Sequence, residues 1–122
     1  MLLHGAGYVQ ELGYHDMLEK MSASHQNFKY LSTVRRLDRE LSRDWEGNVG
    51  RVETLLLGKD GSESQLEKAV RGKVTPENSF FHICGYPGTI DAVVSTLDPL
   101  GFVTNLKKRN NGSYDIKIET YL

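Results

Sequence analysis

The feature that most constrains this sequence is the short run from Phe80 to Cys84, which is apolar or nearly so at every position. Such a run predicts a central strand buried on both faces, as in a parallel sheet. A turn containing glycine and proline follows at 85–88. Apolar residues then recur at the i, i+3, i+4 and i+7 spacing of one helix face: Ile90, Val93, Val94 and Leu97. A strand that leads through a short turn into a helix is the repeating unit of a parallel α/β sheet.

Strand and helix signals also alternate before this segment. A strand end at Met1 to Leu3 precedes a helix predicted from about Glu11 to Ser22, followed by a strand over 28–34. The helix presents one apolar face: Tyr14, Met17, Leu18 and Met21. A second helix is predicted with Val49, Val52 and Leu56 along one stripe, and a short third helix over 65–70.

Gly101 is a typical stop for the helical region before it. Near the end of the chain, two classes of side chain alternate with a period of two over 114–121, which predicts a last strand with one covered face. Residues 102–107 are candidates to pair with that strand as a hairpin. We therefore predict one α/β domain over 1–122, Rossmann-like, with a mainly parallel sheet of about four to five strands and flanking helices.

Composition narrows the class of protein. The formal net charge is −1, which argues against a nucleic-acid or membrane-surface binder. Cys84 is the single cysteine, so an intramolecular disulfide framework is excluded and a cytoplasmic location is expected. No apolar run approaches the ~20 residues of a membrane helix, and the opening apolar stretch is too short for a signal peptide.

Four segments, taken in order, resemble the nucleotide-binding domain of ferredoxin–NADP reductases and related flavoproteins. The first is His4-Gly5 with Tyr8 and the helix start 11–14, and the second is Thr33-Val34-Arg35-Arg36 with the stretch 45–52. The third is Cys84-Gly85-Tyr86-Pro87 after the apolar strand, and the last is Glu119-Thr120-Tyr121. The resemblance covers nearly the whole chain and implies a dinucleotide, NADP(H), as the ligand.

The resemblance also implies a role for each matching residue. Arg36, beside Arg35 and Thr33, matches the arginine that binds the 2′-phosphate of NADP, for which a planar guanidinium is suited. The family commonly has serine before that arginine, so Arg35 keeps positive charge and loses a hydroxyl donor. Residues beside the nicotinamide are matched by Cys84, Gly85, Tyr86 and Pro87. Glu119 matches a residue near the hydride-transfer centre and Tyr121 the aromatic that stacks on the flavin, although Leu122 extends one residue further.

Each assignment has a plainer alternative. The arginines at 35–43 alternate with acidic residues, as in a solvated loop, and Glu119 and Tyr121 fall on the polar phase of their strand. Cys84 can be a small buried apolar residue. His82 and Cys84 share a strand face as two possible metal ligands, but no second close pair exists in the sequence, so no native metal site is expected.

The resemblance further implies that the chain lacks the family's first strand, its glycine-rich turn and its flavin domain. In the family's strand order, 3-2-1-4-5, that loss leaves two strands with unpaired edges, so we expect self-association. We also expect no hydride transfer by the chain alone, because no flavin is held against the nicotinamide. FAD and ferredoxin are expected only for a full-length parent. An alternative remains open: a small self-associating interaction or metal-binding protein that reuses the fragment.

Overall fold

The computed structural model describes residues 1–38 and 42–120. The chain divides into two compact units, Met1–Arg71 and Gly72–Leu122. Each unit has its own sheet, and every strand pair in both sheets is parallel. The α/β class with parallel strands and flanking helices is therefore confirmed, with the strands distributed over two sheets.

Within residues 1–38 and 42–71, the first unit contains three strands in the order β1-β2-β3 and two helices. These elements are β1 (Leu2–Ala6), α1 (His15–Ser24), β2 (Tyr30–Val34), β3 (Asn48–Val49) and α2 (Gln65–Val70). Short 3₁₀ turns lie at Val9–Glu11, Val52–Leu56 and Lys59–Gly61. Helix α2 has the predicted bounds, and a capping box fixes its start because Ser64 and Glu67 each accept the other's backbone N–H.

The predicted second helix through Val49, Val52 and Leu56 is wrong. Val49 belongs to β3, which pairs with β2, and a 3₁₀ turn begins only at Val52. Gly50 separates the two with a φ of 137°, which residues with side chains rarely adopt, and its N–H donates to the carbonyl of Val34. The apolar stripe therefore reflects a strand followed by a turn whose Leu55 is fully buried.

Helix α1 forms close to its predicted place, but its apolar stripe does not face the core. Tyr14 precedes the helix in a left-handed conformation and is 78% exposed, while Met17 and Met21 are also exposed. The half-buried face consists of His15, Leu18 and Ser22. Polar contacts with β2 hold this face, since Ser22 Oγ accepts the N–H of Tyr30 at 3.2 Å and His15 hydrogen-bonds the Tyr30 hydroxyl.

The second unit contains β4 (Phe81–Gly85), α3 (Pro87–Leu97), a 3₁₀ turn (Asp98–Leu100) and β5 (Ile116–Thr120). The predicted periodicity of α3 is confirmed, because Ile90, Val93 and Leu97 are buried. Gly101 has a φ of 92° and ends this helical region as predicted. Phe102 and Ile116 complete the core of the unit.

Two predictions for the second unit are wrong. The last strand forms no hairpin with 102–107: Thr104 pairs with Ile116 in a parallel bridge, and β5 pairs in parallel with β4. Strand β4 is not buried on both faces either, because Ile83 is buried while His82 and Cys84 are exposed. Helix α3 packs against both strands of this sheet.

The first strand of each unit has an edge that no other strand pairs with, within the described residues. In the part of the chain that the structure describes, β1 pairs only with β2, and β4 pairs only with β5. The predicted unpaired edges are therefore present within residues 1–38 and 42–120.

Candidate functional site

The register of β4 on β5 brings together two of the three predicted catalytic residues, Cys84 and Glu119, in the second unit. Cys84 is the register partner of Glu119, and partners in a parallel pair project to the same face. The Cys84 thiol donates to Glu119 Oε2 with a sulfur–oxygen distance of 3.8 Å. Both side chains are exposed at the carboxyl end of their strands, where ligands of α/β sheets bind.

His82 is a third member of this cluster that the sequence assignment of catalytic residues omitted. Two positions before Cys84 on β4, it faces the same side, and its Nε2 lies 3.3 Å from Glu119 Oε1. One carboxylate therefore contacts both the imidazole and the thiol, through different oxygens. The i, i+2 spacing of His82 and Cys84 was visible in the sequence, but the carboxylate joins them only through strand pairing.

The residues after Cys84 form the turn into α3. Gly85 ends β4, Tyr86 is the N-terminal cap residue of the helix and Pro87 is its first residue. Proline suits that position because the first helical N–H has no partner within the helix. Tyr86 is 70% exposed, so the aromatic ring beside Cys84 and Gly85 faces solvent.

The predicted phosphate-binding residues lie in the first unit, where β2 ends. The N–H groups of Arg35 and Arg36 donate to the carbonyls of Ala6 and Gly7, at 3.0 and 2.9 Å, so the backbone is fixed just beyond β1 and β2. Both side chains are exposed. The carboxyl edge of this sheet therefore presents two guanidinium groups to solvent.

The Arg36 side chain is held by the buried Tyr8. Its guanidinium carbon lies 5.9 Å from the centroid of the Tyr8 ring. A hydrogen bond with the Tyr8 side chain is the main cause that raises the pKa of Arg36, and the nearby Asp38 and Glu11 act in the same direction. Arg36 is therefore a permanently charged group with a defined position, which fits a phosphate ligand.

Thr33 is placed differently from the other predicted binding residues. Its side chain is fully buried and its hydroxyl donates to the carbonyl of Gly50 at 2.9 Å. The bond ties the end of β2 to the turn after β3, so the structure gives Thr33 a supporting position behind the arginines.

Tyr121, predicted to stack on the flavin, lies outside the described residues, as does the charged stretch 39–41. No helix in residues 1–38 and 42–120 is long and apolar enough to cross a membrane.

A half-buried polar cluster around Tyr30 in the first unit was not predicted. The Tyr30 hydroxyl lies 2.9 Å from Nδ1 of His4 and 3.2 Å from Nδ1 of His15. Burial, and secondarily the neighbouring His15, lowers the pKa of His4. Trp45 packs on His15 with ring centroids 5.4 Å apart. This cluster joins β1, α1 and β2, so we interpret it as structural.

Comparison with known proteins identifies relatives of this arrangement. No protein-family profile matches the chain. Among solved structures, a ferredoxin NADP+ reductase from Neisseria gonorrhoeae with bound FAD and NADP matches with a TM-score of 0.70 and 28% identity, over 98% of this chain and 43% of that one. A subunit of the Na+-translocating NADH-quinone reductase is 29% identical in Pseudoalteromonas atlantica and 28% identical in Serratia proteamaculans, each over 80% of this chain.

These matches cover only part of each relative. The chain spans 21% of the length of the two curated relatives. The similarity confirms the resemblance drawn from the four segments and favours it over the alternative of a reused interaction protein.

Proposed function

We propose that this chain belongs to the ferredoxin–NADP reductase family, which its similarity to the solved and curated relatives supports, and that it binds NADP(H). The observation that carries the proposal is the exposed pair Arg35 and Arg36 at the carboxyl end of β2, with the Arg36 guanidinium held by Tyr8. This edge would hold the adenosine 2′-phosphate.

The charge of the edge supports NADP(H) over NAD(H). The two dinucleotides differ by the 2′-phosphate, a dianion that two guanidinium groups bind through charge-assisted hydrogen bonds. The curated relatives are named for NADH, so family membership alone does not decide between the two ligands. The arginines of this chain therefore carry the preference.

The cluster in the second unit supports a place for the nicotinamide. At the exposed end of β4, Cys84 has a small side chain and Gly85 has none. Glu119 lies beside the Cys84 thiol. A flat ring can approach a backbone closely where no large side chain intervenes. Glu119, His82 and the Cys84 thiol are groups there that can exchange a proton.

We further propose that the parent protein is a flavoprotein oxidoreductase and that the flavin is held outside this chain. The solved relative contains FAD as well as NADP, and this chain covers 43% of it. Flavin supplies the hydride acceptor in such chemistry, while the protein around the nucleotide supplies binding and orientation. A cytoplasmic location and ferredoxin as an electron partner of the parent remain part of this proposal.

The test is calorimetric titration of the chain with NADPH and with NADH. We expect saturable binding that prefers NADPH. Arg36→Ala should weaken NADPH about 10- to 100-fold, the equivalent of one charge-assisted contact, and leave NADH nearly unchanged. Lys20→Ala, which removes an exposed cation from α1, is the matched control and should bind like the wild type. Equal affinity for the two dinucleotides, or equal effects of the two substitutions, would refute a 2′-phosphate site at Arg36.

A further inference from the structure

We propose that His82, Cys84 and Glu119 form a binding site for a zinc-like divalent cation on the exposed face of the β4–β5 sheet. The three side chains offer a nitrogen, a sulfur and an oxygen that all lie within 4.8 Å of one another. All three are exposed, so a cation and a completing water molecule can reach them from solvent.

Two of the ligand–ligand distances are close to those around a tetrahedral ion. Metal–ligand bonds of Zn²⁺ at tetrahedral angles place a nitrogen and an oxygen ~3.3 Å apart, and a sulfur and an oxygen ~3.5 Å apart. In this protein His82 Nε2 lies 3.3 Å from Glu119 Oε1, and Cys84 Sγ lies 3.8 Å from Glu119 Oε2. The nitrogen, the sulfur and a carboxylate oxygen all lie within 4.8 Å of one another, so modest side-chain rotations bring them onto one ion.

The backbone fixes the ligands before any metal binds. His82 and Cys84 are two residues apart on β4, so both project from one face, and the register of β5 places Glu119 beside Cys84. Ligands on paired strands lose less conformational freedom on binding than ligands on loops. This is the difference from the sequence alone, which showed only two of the three ligands.

The chemistry of the donor set selects the ion. Thiolate and imidazole favour Zn²⁺ over Mg²⁺ or Ca²⁺, which prefer oxygen ligands. On binding, the Cys84 sulfur exchanges its proton for the metal, and that proton passes to solvent. Thiolate and carboxylate together balance the charge of the dication. Lys117 is the register partner of His82 and lies on the same face, so its positive charge opposes the metal without supplying a ligand.

Three protein ligands leave the fourth position to water, as in open rather than closed zinc sites. Cys84 and Glu119 are also the residues proposed above to lie beside the nicotinamide. If the proposed function holds, the cation and the nicotinamide would compete for these residues. Cation binding itself does not depend on the proposed function.

The experiment is a titration of the whole chain with Co²⁺, followed by Zn²⁺, in the absence of nucleotide. Co²⁺ substitutes for zinc and reports a bound thiolate through a near-ultraviolet charge-transfer band. We expect the band to saturate at one equivalent and to disappear when Zn²⁺ displaces the cobalt. Cys84→Ser should abolish it, and His82→Asn and Glu119→Gln should each weaken Co²⁺ binding by at least about 10-fold.

Lys117→Gln is the control, because it changes the charge of the same face and removes no ligand; its band should persist with undiminished affinity. As a second measurement, Zn²⁺ should slow the alkylation of Cys84 by iodoacetamide in the wild type and much less in His82→Asn. The absence of a thiolate band at saturating Co²⁺, or wild-type affinity in both His82→Asn and Glu119→Gln, would overturn the proposal. Because the titration contains no nucleotide, a failure of the NADP(H) proposal would leave its outcome unchanged.

Discussion

Asp115 directly precedes β5, the strand that carries Glu119. Replacing it should destabilise the second unit by an amount that the structure allows us to work out. The side chain is buried, and its Oδ2 accepts the N–H of Val103 at 3.0 Å. Both carboxylate oxygens also accept from the Arg109 guanidinium, at 2.6 and 3.1 Å. The carboxylate thus joins the chain after α3 to the start of β5.

The size of the destabilisation depends on whether water can take the place of the carboxylate at each of its hydrogen-bond partners. Asp115→Ala leaves the half-buried Val103 N–H without its acceptor, which costs roughly 1–3 kcal/mol. The Arg109 side chain is 35% exposed, so water replaces the carboxylate there and the ion pair adds little. We expect the free energy of unfolding to fall by about 2 kcal/mol. Asp115→Asn should cost less, because its amide oxygen can still accept from Val103.

Urea unfolding followed by circular dichroism at neutral pH measures both variants. Asp91→Ala removes an exposed carboxylate from α3 and should change stability by less than about 0.5 kcal/mol. Hydrogen bonds from Arg109, and secondarily from the Val103 N–H, hold the pKa of Asp115 below its ordinary value against the effect of burial. The advantage of the wild type over Asp115→Asn should therefore be complete above pH ~4 and disappear as the pH falls below it. Wild-type stability in Asp115→Ala, or an equal loss in the two variants, would refute this reasoning.

Four further predictions concern other parts of the chain. Burial lowers the pKa of His4, so its neutral form stabilises the fold above pH ~6.5, and this stabilisation should be lost as the pH falls through the lowered pKa. His4→Gln should therefore flatten the dependence of the free energy of unfolding on pH between pH 7.5 and 5. An unchanged slope would contradict this. Gly5→Ala should cost about 1–3 kcal/mol in urea unfolding, because its new Cβ would lie 3.0 Å from Val52 Cβ, whereas the open position Gly13 should tolerate alanine as a control. The unpaired edges of β1 and β4 should cause self-association detectable by light scattering, and a clean monomer at high concentration would count against it. The isolated chain with added FAD should not oxidise NADPH with ferricyanide as acceptor, and steady turnover would show that it holds a flavin itself.

The sequence by itself determined the elements whose signals lie within a few residues of one another. The periodic apolar positions of α3 and the glycine stop at Gly101 depend on neighbours along the chain. Helix and strand periodicity is a local property, so these elements and the parallel α/β class could be predicted. The four family-like segments were local too, and they pointed to Arg36, Cys84 and Glu119.

Only the tertiary structure decided which faces are covered and which residues meet. The stripe on α1 was predicted to be buried, yet the contacts of Tyr30 turn His15 and Ser22 toward β2 instead. The predicted helix through Val49 is instead a strand and a 3₁₀ turn, because β2 was available to pair with Val49.

The cluster on the β4–β5 sheet shows the same dependence most clearly. His82 and Cys84 are neighbours in sequence, but Glu119 joins them only because β5 pairs with β4 in one register. A shift of that register by one residue would turn the carboxylate to the opposite face of the sheet. No local pattern encodes a register between segments so far apart, because it is set by the packing of the whole unit.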